Sequence, residues 1–223
     1  MILTFDNVLG PDEVAYIQAS LLPEDFVDGR STAGWHARLV KHNTQLQVDD
    51  ERTRAIVTLI HDAILKHADY KRAFQPKLTR QPLISRYEPG MSYGAHVDDA
   101  FMGANPIVRA DLAMTLFLSD PASYGGGELV IESTYGTRAI KLAAGAMVVY
   151  PATTLHRVDP VTSGIRLAAV SWGQSLIPDP IKREILYDLD NARRALFDGH
   201  GKTPEFDLIS KSLANLLRLW SDL

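Results

Sequence analysis

The chain contains no cysteine among its 223 residues. That absence excludes disulfide scaffolds, thiolate-held zinc, iron–sulfur clusters and thiol nucleophiles, so any metal has to be held by histidine and carboxylates. Charge of one sign is also scarce: 23 Lys and Arg stand against 27 Asp and Glu, for a net charge of −4, with no long run of like charges. Such a balance leaves no electrostatic footprint for a nucleic-acid backbone or an anionic membrane, and neither partner is expected. No stretch approaches the ~18 consecutive apolar residues of a membrane span. The start, MILTFDNVLGPDE, has no basic region and meets Asp6 after a short apolar opening, which does not fit a secretory signal. Internal repeats and low-complexity segments are absent as well. The expectation is a soluble, cytoplasmic protein acting on a small molecule or a peptide.

What is present is a chain with 46% hydrophobic residues, enough for one large β-rich domain or an ordinary domain with an appendage. Residues 11 to 22 read as a helix, with Pro11 at a tolerated start and Val14, Ile17, Leu21 and Leu22 at helical spacing. Residues 49 to 68 predict a second, capped by Asp49 or Asp50, with Ile56, Leu59, Ile60, Ala63, Ile64 and His67 in one stripe. The rest of the first third reads as irregular.

From about residue 78 the period changes from helical to alternating, and turn signals recur at short intervals. Strands are expected at 80–87, 93–98, 111–118, 128–132, 137–142, 146–150, 154–158 and 165–174. That number of short strands predicts a sandwich or jelly-roll barrel with a cavity at one end. After Pro178 and Pro180 the pattern returns to helix, with Ile181, Ile185, Leu186 and Leu189 in one stripe. Ile209, Leu213, Leu216, Leu217 and Trp220 make a second stripe. The fold class is therefore α+β with a mainly β core. The C-terminal helices either cover the sheet or form a homodimer contact, and the sequence leaves both open.

Two of the seven histidines stand apart. His36, His42, His61, His67 and His200 read as surface or satisfied core positions. His96 and Asp98 form H-V-D, and residues i and i+2 of a strand share a face, so an imidazole and a carboxylate come together. Alone, H-x-D is a weak signal. His156, sixty positions downstream after a strand ending at Tyr150 and Pro151, supplies a third ligand. Two histidines and one carboxylate on one face of a metal is the arrangement of non-haem Fe(II) oxygenases, with open positions for a cosubstrate and O₂. Ten residues later, across the turn-forming DPVTSG, Arg166 can enter the same cavity from a neighbouring strand. Its guanidinium is a fork for a carboxylate. Ala168, Val170 and Trp172 continue its face, and the aromatic closes the far end.

Other motifs have plainer readings. Gly125-Gly126-Gly127-Glu128 lacks the residues of a phosphate loop and reads as a turn into ELVIE. Tyr135-Gly136 reads as a hairpin signal. Asp99 is expected to face away from the metal, and Arg109 and Asp111 are read as structural sooner than as cleft residues. Two rivals stay open at this point: a zinc-type hydrolase or lyase on the same ligands, and a non-catalytic jelly-roll module that binds metal or nothing.

The segments RYEPGMSYGAHVDD, AMTLFLSD, YGGGEL and His156-(x)9-Arg166-(x)5-Trp172 together resemble the prolyl 4-hydroxylase-like Fe(II)/2-oxoglutarate dioxygenases, and within them the bacterial PKHD-type hydroxylases. The resemblance covers residues 80 to 175 and extends into the helices DLDNARRAL and NLLRLW. It implies a double-stranded β-helix over a dioxygenase domain of residues 1–177 (helical to 77, jelly roll from 78), followed by a helical extension over 178–223. It implies that His96, Asp98 and His156 ligate Fe(II) and that Arg166 pairs with the distal carboxylate of 2-oxoglutarate. Tyr87 and Tyr93 match tyrosines that line the cosubstrate pocket, and Trp172 is counted with them. Many prolyl 4-hydroxylases carry Lys where this chain has Arg166, a departure that keeps a carboxylate partner. The implied reaction hydroxylates an organic substrate with release of succinate and CO₂, with L-ascorbate as reductant, and the bacterial group adds a link to iron homeostasis.

Overall fold

A computed structural model describes residues 1–133 and 136–223. Strand β1 (Leu3–Phe5) is followed by helix α1 (Pro11–Ser20), which has Pro11 in its first turn and ends two residues earlier than its periodicity predicts. Three short strands follow in the region read as irregular: β2 (Phe26–Asp28), β3 (Lys41–His42) and β4 (Thr44–Leu46). Helix α2 (Glu51–Lys66) is capped by Asp50, whose Oδ1 accepts the Thr53 N–H at 2.7 Å. His67 does not extend α2. Its ring accepts the Tyr70 N–H at 3.4 Å and caps a further helix, α3 (Ala68–Phe74), absent from the sequence reading.

Strand β5 (Pro76–Thr79) precedes β6 (Leu83–Tyr87), so the expected strand at 80–87 starts three residues late, after Pro82, which has no N–H to give a ladder. The chain continues through β7 (Ser92–His96), the small ribbon β8 (Phe101–Met102) and β9 (Val108–Arg109), and β10 (Leu112–Phe117). Next come β11 (Tyr124–Gly126), β12 (Leu129–Ser133), β13 (Gly136–Ile140), β14 (Met147–Pro151), β15 (His156–Val158), β16 (Val161–Gly164) and β17 (Arg166–Ser175). Helices α4 (Pro180–His200) and α5 (Pro204–Trp220) follow. Gly125 and Gly126 thus belong to a strand, β11, which pairs with β16 through a bulge at Gly125/Gly126, and only Gly127 and Glu128 make the expected turn into β12. Tyr135 of the expected hairpin turn lies outside the described residues.

Two antiparallel sheets face each other in a jelly roll. The major sheet runs β1-β14-β10-β17-β6-β4-β2, with β5 also on β17, and the minor sheet runs β13-β12-β15-β7-β3. Alternation along the central strands sorts side chains between two clusters. Leu112, Met114, Leu116, Met147 and Val149 pack outward with Ile56, Ile60 and Ile64 of α2. Ala113, Phe117, Val148 and Tyr150 pack inward with Leu129 and Ile131 of the minor sheet. A major sheet buried on both faces explains the near-continuous apolar runs of β10 and β14.

Helix α5 packs through its expected face, and α4 through only half of its own. Leu186 and Leu213 enclose Ile177, with Leu189, Leu216, Leu217 and Trp220 around them, but Ile181 is 69% exposed and Ile185 is also exposed. The inner face of α4 carries Arg183, Leu186 and Asp190 instead. The buried Asp190 carboxylate accepts from Arg72 of α3 at 3.1 Å, from Arg194 at 2.9 Å and from Arg193, which ties α4 to α3. Arg109 pairs with Asp111 at 2.8 Å and with Asp222 at 3.2 Å, while Asp111 also accepts the Ser175 N–H, so both residues are structural. Among the described residues no helix is long and apolar enough to cross a membrane.

Burial acts to raise the Asp190 pKa, and the hydrogen bonds from Arg194, Arg72 and Arg193 outweigh it and hold it below 3.8. A depressed folded-state pKa adds stability that is complete above the unfolded value and disappears as pH falls through the folded one. Asp190→Asn is therefore expected to cost about 1–3 kcal/mol at neutral pH. In urea titrations the gap between variant and wild type should close as pH falls below the ordinary carboxylate range; a gap independent of pH would refute the clamp.

Candidate metal centre and cavity

Strands β7 and β15 pair antiparallel with His156 directly opposite His96. Asp98 lies two residues beyond His96, just past the strand end. One ligand atom from each of His96, Asp98 and His156 lies within 4.8 Å of the others, and His156 Nε2 is 3.9 Å from Asp98 Oδ1. The imidazoles are oriented by backbone: His96 Nδ1 is 2.8 Å from the Gly94 carbonyl and His156 Nδ1 is 3.1 Å from the Thr154 carbonyl. A carbonyl can only accept, so each Nδ1 carries the proton and each Nε2 presents a lone pair to the centre.

The electrostatics fit a cation. Burial, then the neighbouring His156, pushes the His96 pKa down to about 3, so the ring is neutral near pH 7. Burial raises Asp98, opposed by His156 and by the indole of Trp172, and its Oδ2 is buried with no hydrogen-bond partner. Two imidazoles that aim their Nε2 atoms inward and one orphaned carboxylate oxygen around one point are a donor set for a divalent metal with open positions. The rings are held in place: Tyr93 stacks on His96 at 3.7 Å and 17°, and Tyr150 meets His156 edge-on at 5.2 Å.

These groups line a cavity of about 310 Å³ between the sheets. At its deep end Arg166, the first residue of β17, is 1% exposed and pairs in register with Tyr87. Its guanidinium carbon lies 5.1 Å from the Tyr87 ring and 5.6 Å from the Phe117 ring. No carboxylate pairs with it among the described residues, and its Nε is a buried donor without a partner. The Tyr124 hydroxyl lies beside it, within the guanidinium's reach but with no hydrogen bond of good geometry. Gly127 makes room for this arrangement: it has φ +69°, and a Cβ there would lie 3.0 Å from Arg166 Cδ.

The structure thus brings His96, Asp98, His156, Arg166, Tyr87, Tyr93 and Trp172 to one cavity. Tyr93 serves as a platform for His96. Asp99 is exposed, as expected, although it stands at the mouth beside Gly34, and His36 is also at the mouth. Sequence reading missed Tyr124, Tyr150 and a polar stripe on the N-terminal wall. The stripe's signal was the alternation K-H-N-T-Q at 41–45, in which Lys41, Asn43 and Gln45 are buried and His42 is exposed. Burial brings the Lys41 pKa down to about 8.

The family model described as the 2OG-Fe(II) oxygenase superfamily matches residues 82–174. A PKHD-type hydroxylase of Acaryochloris marina is 54% identical over 222 residues, covering 100% of each chain. A second, from Gloeothece citriformis, is 52% identical over the same length, again covering 100% of each. Among solved structures, a Pseudomonas putida prolyl-4-hydroxylase aligns with TM-score 0.56 at 18% identity, over 78% of this chain and 92% of that one. A Trichoplax adhaerens prolyl hydroxylase, in complex with a hypoxia inducible factor peptide fragment, aligns with TM-score 0.61 at 14% identity, over 78% and 83%. At such identities these two likenesses establish the fold.

Calorimetric titration with Mn(II) is expected to show one site per chain, with affinity reduced about 100-fold or more in His96→Ala and in His156→Ala. Asp98→Asn should lose the metal yet melt no lower than metal-free wild type, because it removes a buried charge that His156 and the Trp172 indole only partly offset and whose Oδ2 has no partner. A clear loss of stability in metal-free Asp98→Asn would refute that reading of the carboxylate.

Proposed function

As the chain belongs to the PKHD-type hydroxylases of the 2OG-Fe(II) oxygenase superfamily, we propose that this oxidoreductase hydroxylates a C–H bond of an organic substrate while converting 2-oxoglutarate and O₂ to succinate and CO₂. The observation that carries the proposal is the pairing of two unsatisfied sets in one cavity: a convergent His96–Asp98–His156 triad, and the buried Arg166 guanidinium with no anion beside it.

In this reading the triad holds Fe(II), which supplies O₂ activation and the oxidising capacity for C–H cleavage. Arg166 takes the far carboxylate of 2-oxoglutarate, a role that gives its free Nε an acceptor. Tyr124 adds a hydroxyl, and the Tyr87 and Phe117 rings keep water from the guanidinium, so the ion pair works in a low dielectric. Gly94 and Thr154 hold both imidazoles in the tautomer a metal requires. Tyr93 and Trp172 wall the metal side, limiting water around the reacting atoms. Ascorbate is the reductant that the family resemblance adds. A zinc hydrolase reading leaves the Arg166 pocket without a use, and so does a non-catalytic metal site.

Anaerobic addition of Fe(II) and then 2-oxoglutarate is expected to produce a visible charge-transfer band, and admission of O₂ should yield succinate. His96→Ala should abolish the band. Arg166→Ala should raise the 2-oxoglutarate requirement about 30-fold or more, the equivalent of ~2 kcal/mol for a truncated buried charge pair. Metal binding without band or succinate would exclude the dioxygenase reading.

A further inference from the structure

One wall of the cavity is built from polar groups that the reaction above does not use. Lys41, Asn43 and Gln45 alternate along the segment of β3 and β4, and all three side chains line the cavity while only 4%, 5% and 4% exposed. Gln45 is satisfied: its amide donates to Ser85 Oγ at 3.2 Å and its carbonyl accepts from the Thr32 hydroxyl. Lys41 is not. Its ammonium has three protons and makes one hydrogen bond, to Thr32 Oγ1 at 2.9 Å, and it forms no ion pair among the described residues. Asn43 is also short of partners: the Tyr87 hydroxyl approaches its amide, but neither Nδ2 nor Oδ1 makes a hydrogen bond of good geometry. A buried cation with free donor protons and an under-used amide on the same cavity wall favour a ligand that meets both.

The charge balance says what kind of ligand. At the metal end, a divalent ion, Asp98, the two carboxylates of 2-oxoglutarate and Arg166 cancel. Lys41 and Arg80, which line the cavity and form no ion pair among the described residues, stand outside that balance against the one carboxylate of Asp99, which leaves a single positive charge to be met. One ammonium beside one amide N–H matches the two oxygens of a carboxylate better than a multiply charged phosphate. The Tyr93 ring touches both regions: Lys41 lies over it at 5.1 Å, and His96 stacks on it at 3.7 Å. A molecule held at Lys41 is therefore one aromatic ring from the metal ligands. With 2-oxoglutarate also inside about 310 Å³, the remaining space suits a compact molecule.

We propose that the substrate is a small carboxylic acid, its carboxylate held by the Lys41 ammonium with the Asn43 side-chain N–H donating beside it, so that a C–H bond of the same molecule faces the metal triad. This rests on the dioxygenase reading, and the test separates the two. The full chain, loaded anaerobically with Fe(II) and saturating 2-oxoglutarate, is titrated by calorimetry with a panel of N-acetyl amino acids and the matching primary amides. The acids are expected to bind at least tenfold more tightly than the amides. Lys41→Met should erase that preference, Lys41→Arg should retain it, and Asn43→Leu, a variant that keeps the charge, should weaken acid binding several-fold. The proposal is overturned if no acid binds, if acids and amides bind alike, if the preference survives in Lys41→Met, or if added 2-oxoglutarate displaces the acids, which would place them on Arg166. Loss of the charge-transfer band in the starting sample would instead overturn the dioxygenase reading.

Discussion

The site depends on the register between β7 and β15. Because His156 stands opposite His96 in that ladder, a segment sixty residues away delivers its imidazole to the same point. A slip of one residue would turn one imidazole to the other face of the sheet and leave no metal site. The two Nδ1 contacts to Gly94 and Thr154 then convert a positional match into a chemical one, since they aim both Nε2 lone pairs inward. The same facing sheets enclose Arg166 on β17 across the cavity from β7 and β15, so the spacing between the guanidinium and the two imidazoles is set by sheet packing and not by a loop.

Legibility in the sequence follows what each element buries. Strands β10, β14 and β17 were readable because their alternation sorts apolar side chains between two cores, and His96, Asp98, His156 and Arg166 were readable because their chemistry is unusual for a buried face. The strands of the first third escaped because they are two or three residues long and their inward face is polar: Lys41, Asn43 and Gln45 look like a solvated stretch unless burial is known. Helix α4 shows the same effect. Its inner face holds Arg183, which donates to the Ile177 and Pro178 carbonyls, and Asp190, clamped by three arginines, beside Leu186, while Ile181 and Ile185 are exposed, so half of the apolar stripe pointed the wrong way. The break between α2 and α3 was hidden for another reason, since His67 continues the apolar spacing yet acts as a cap.

The unpaired groups of the cavity share a physical logic. Asp98 Oδ2, Arg166 Nε, the Tyr124 hydroxyl and the Asn43 amide are all buried and short of well-formed hydrogen bonds, and among the described residues only Arg193 Nε and Ser210 Oγ, on the C-terminal helices, share that condition. Each such group weakens the empty protein, and each is positioned to gain on meeting a ligand. The cavity is thus pre-organised at the expense of stability. The outer core, with Ile56, Ile60 and Ile64 packed on the major sheet, supplies the compensating burial at a distance from the chemistry.

The segment carrying Lys41, Asn43 and Gln45 has one more property. Its first part, β3, is laddered to β7 in the minor sheet, and its second, β4, to β6 in the major sheet. A single short stretch of backbone therefore stitches the two layers together along this side of the roll. The layers cannot breathe apart there without pulling on both ladders, and a guest seated against the seam would be felt in both at once.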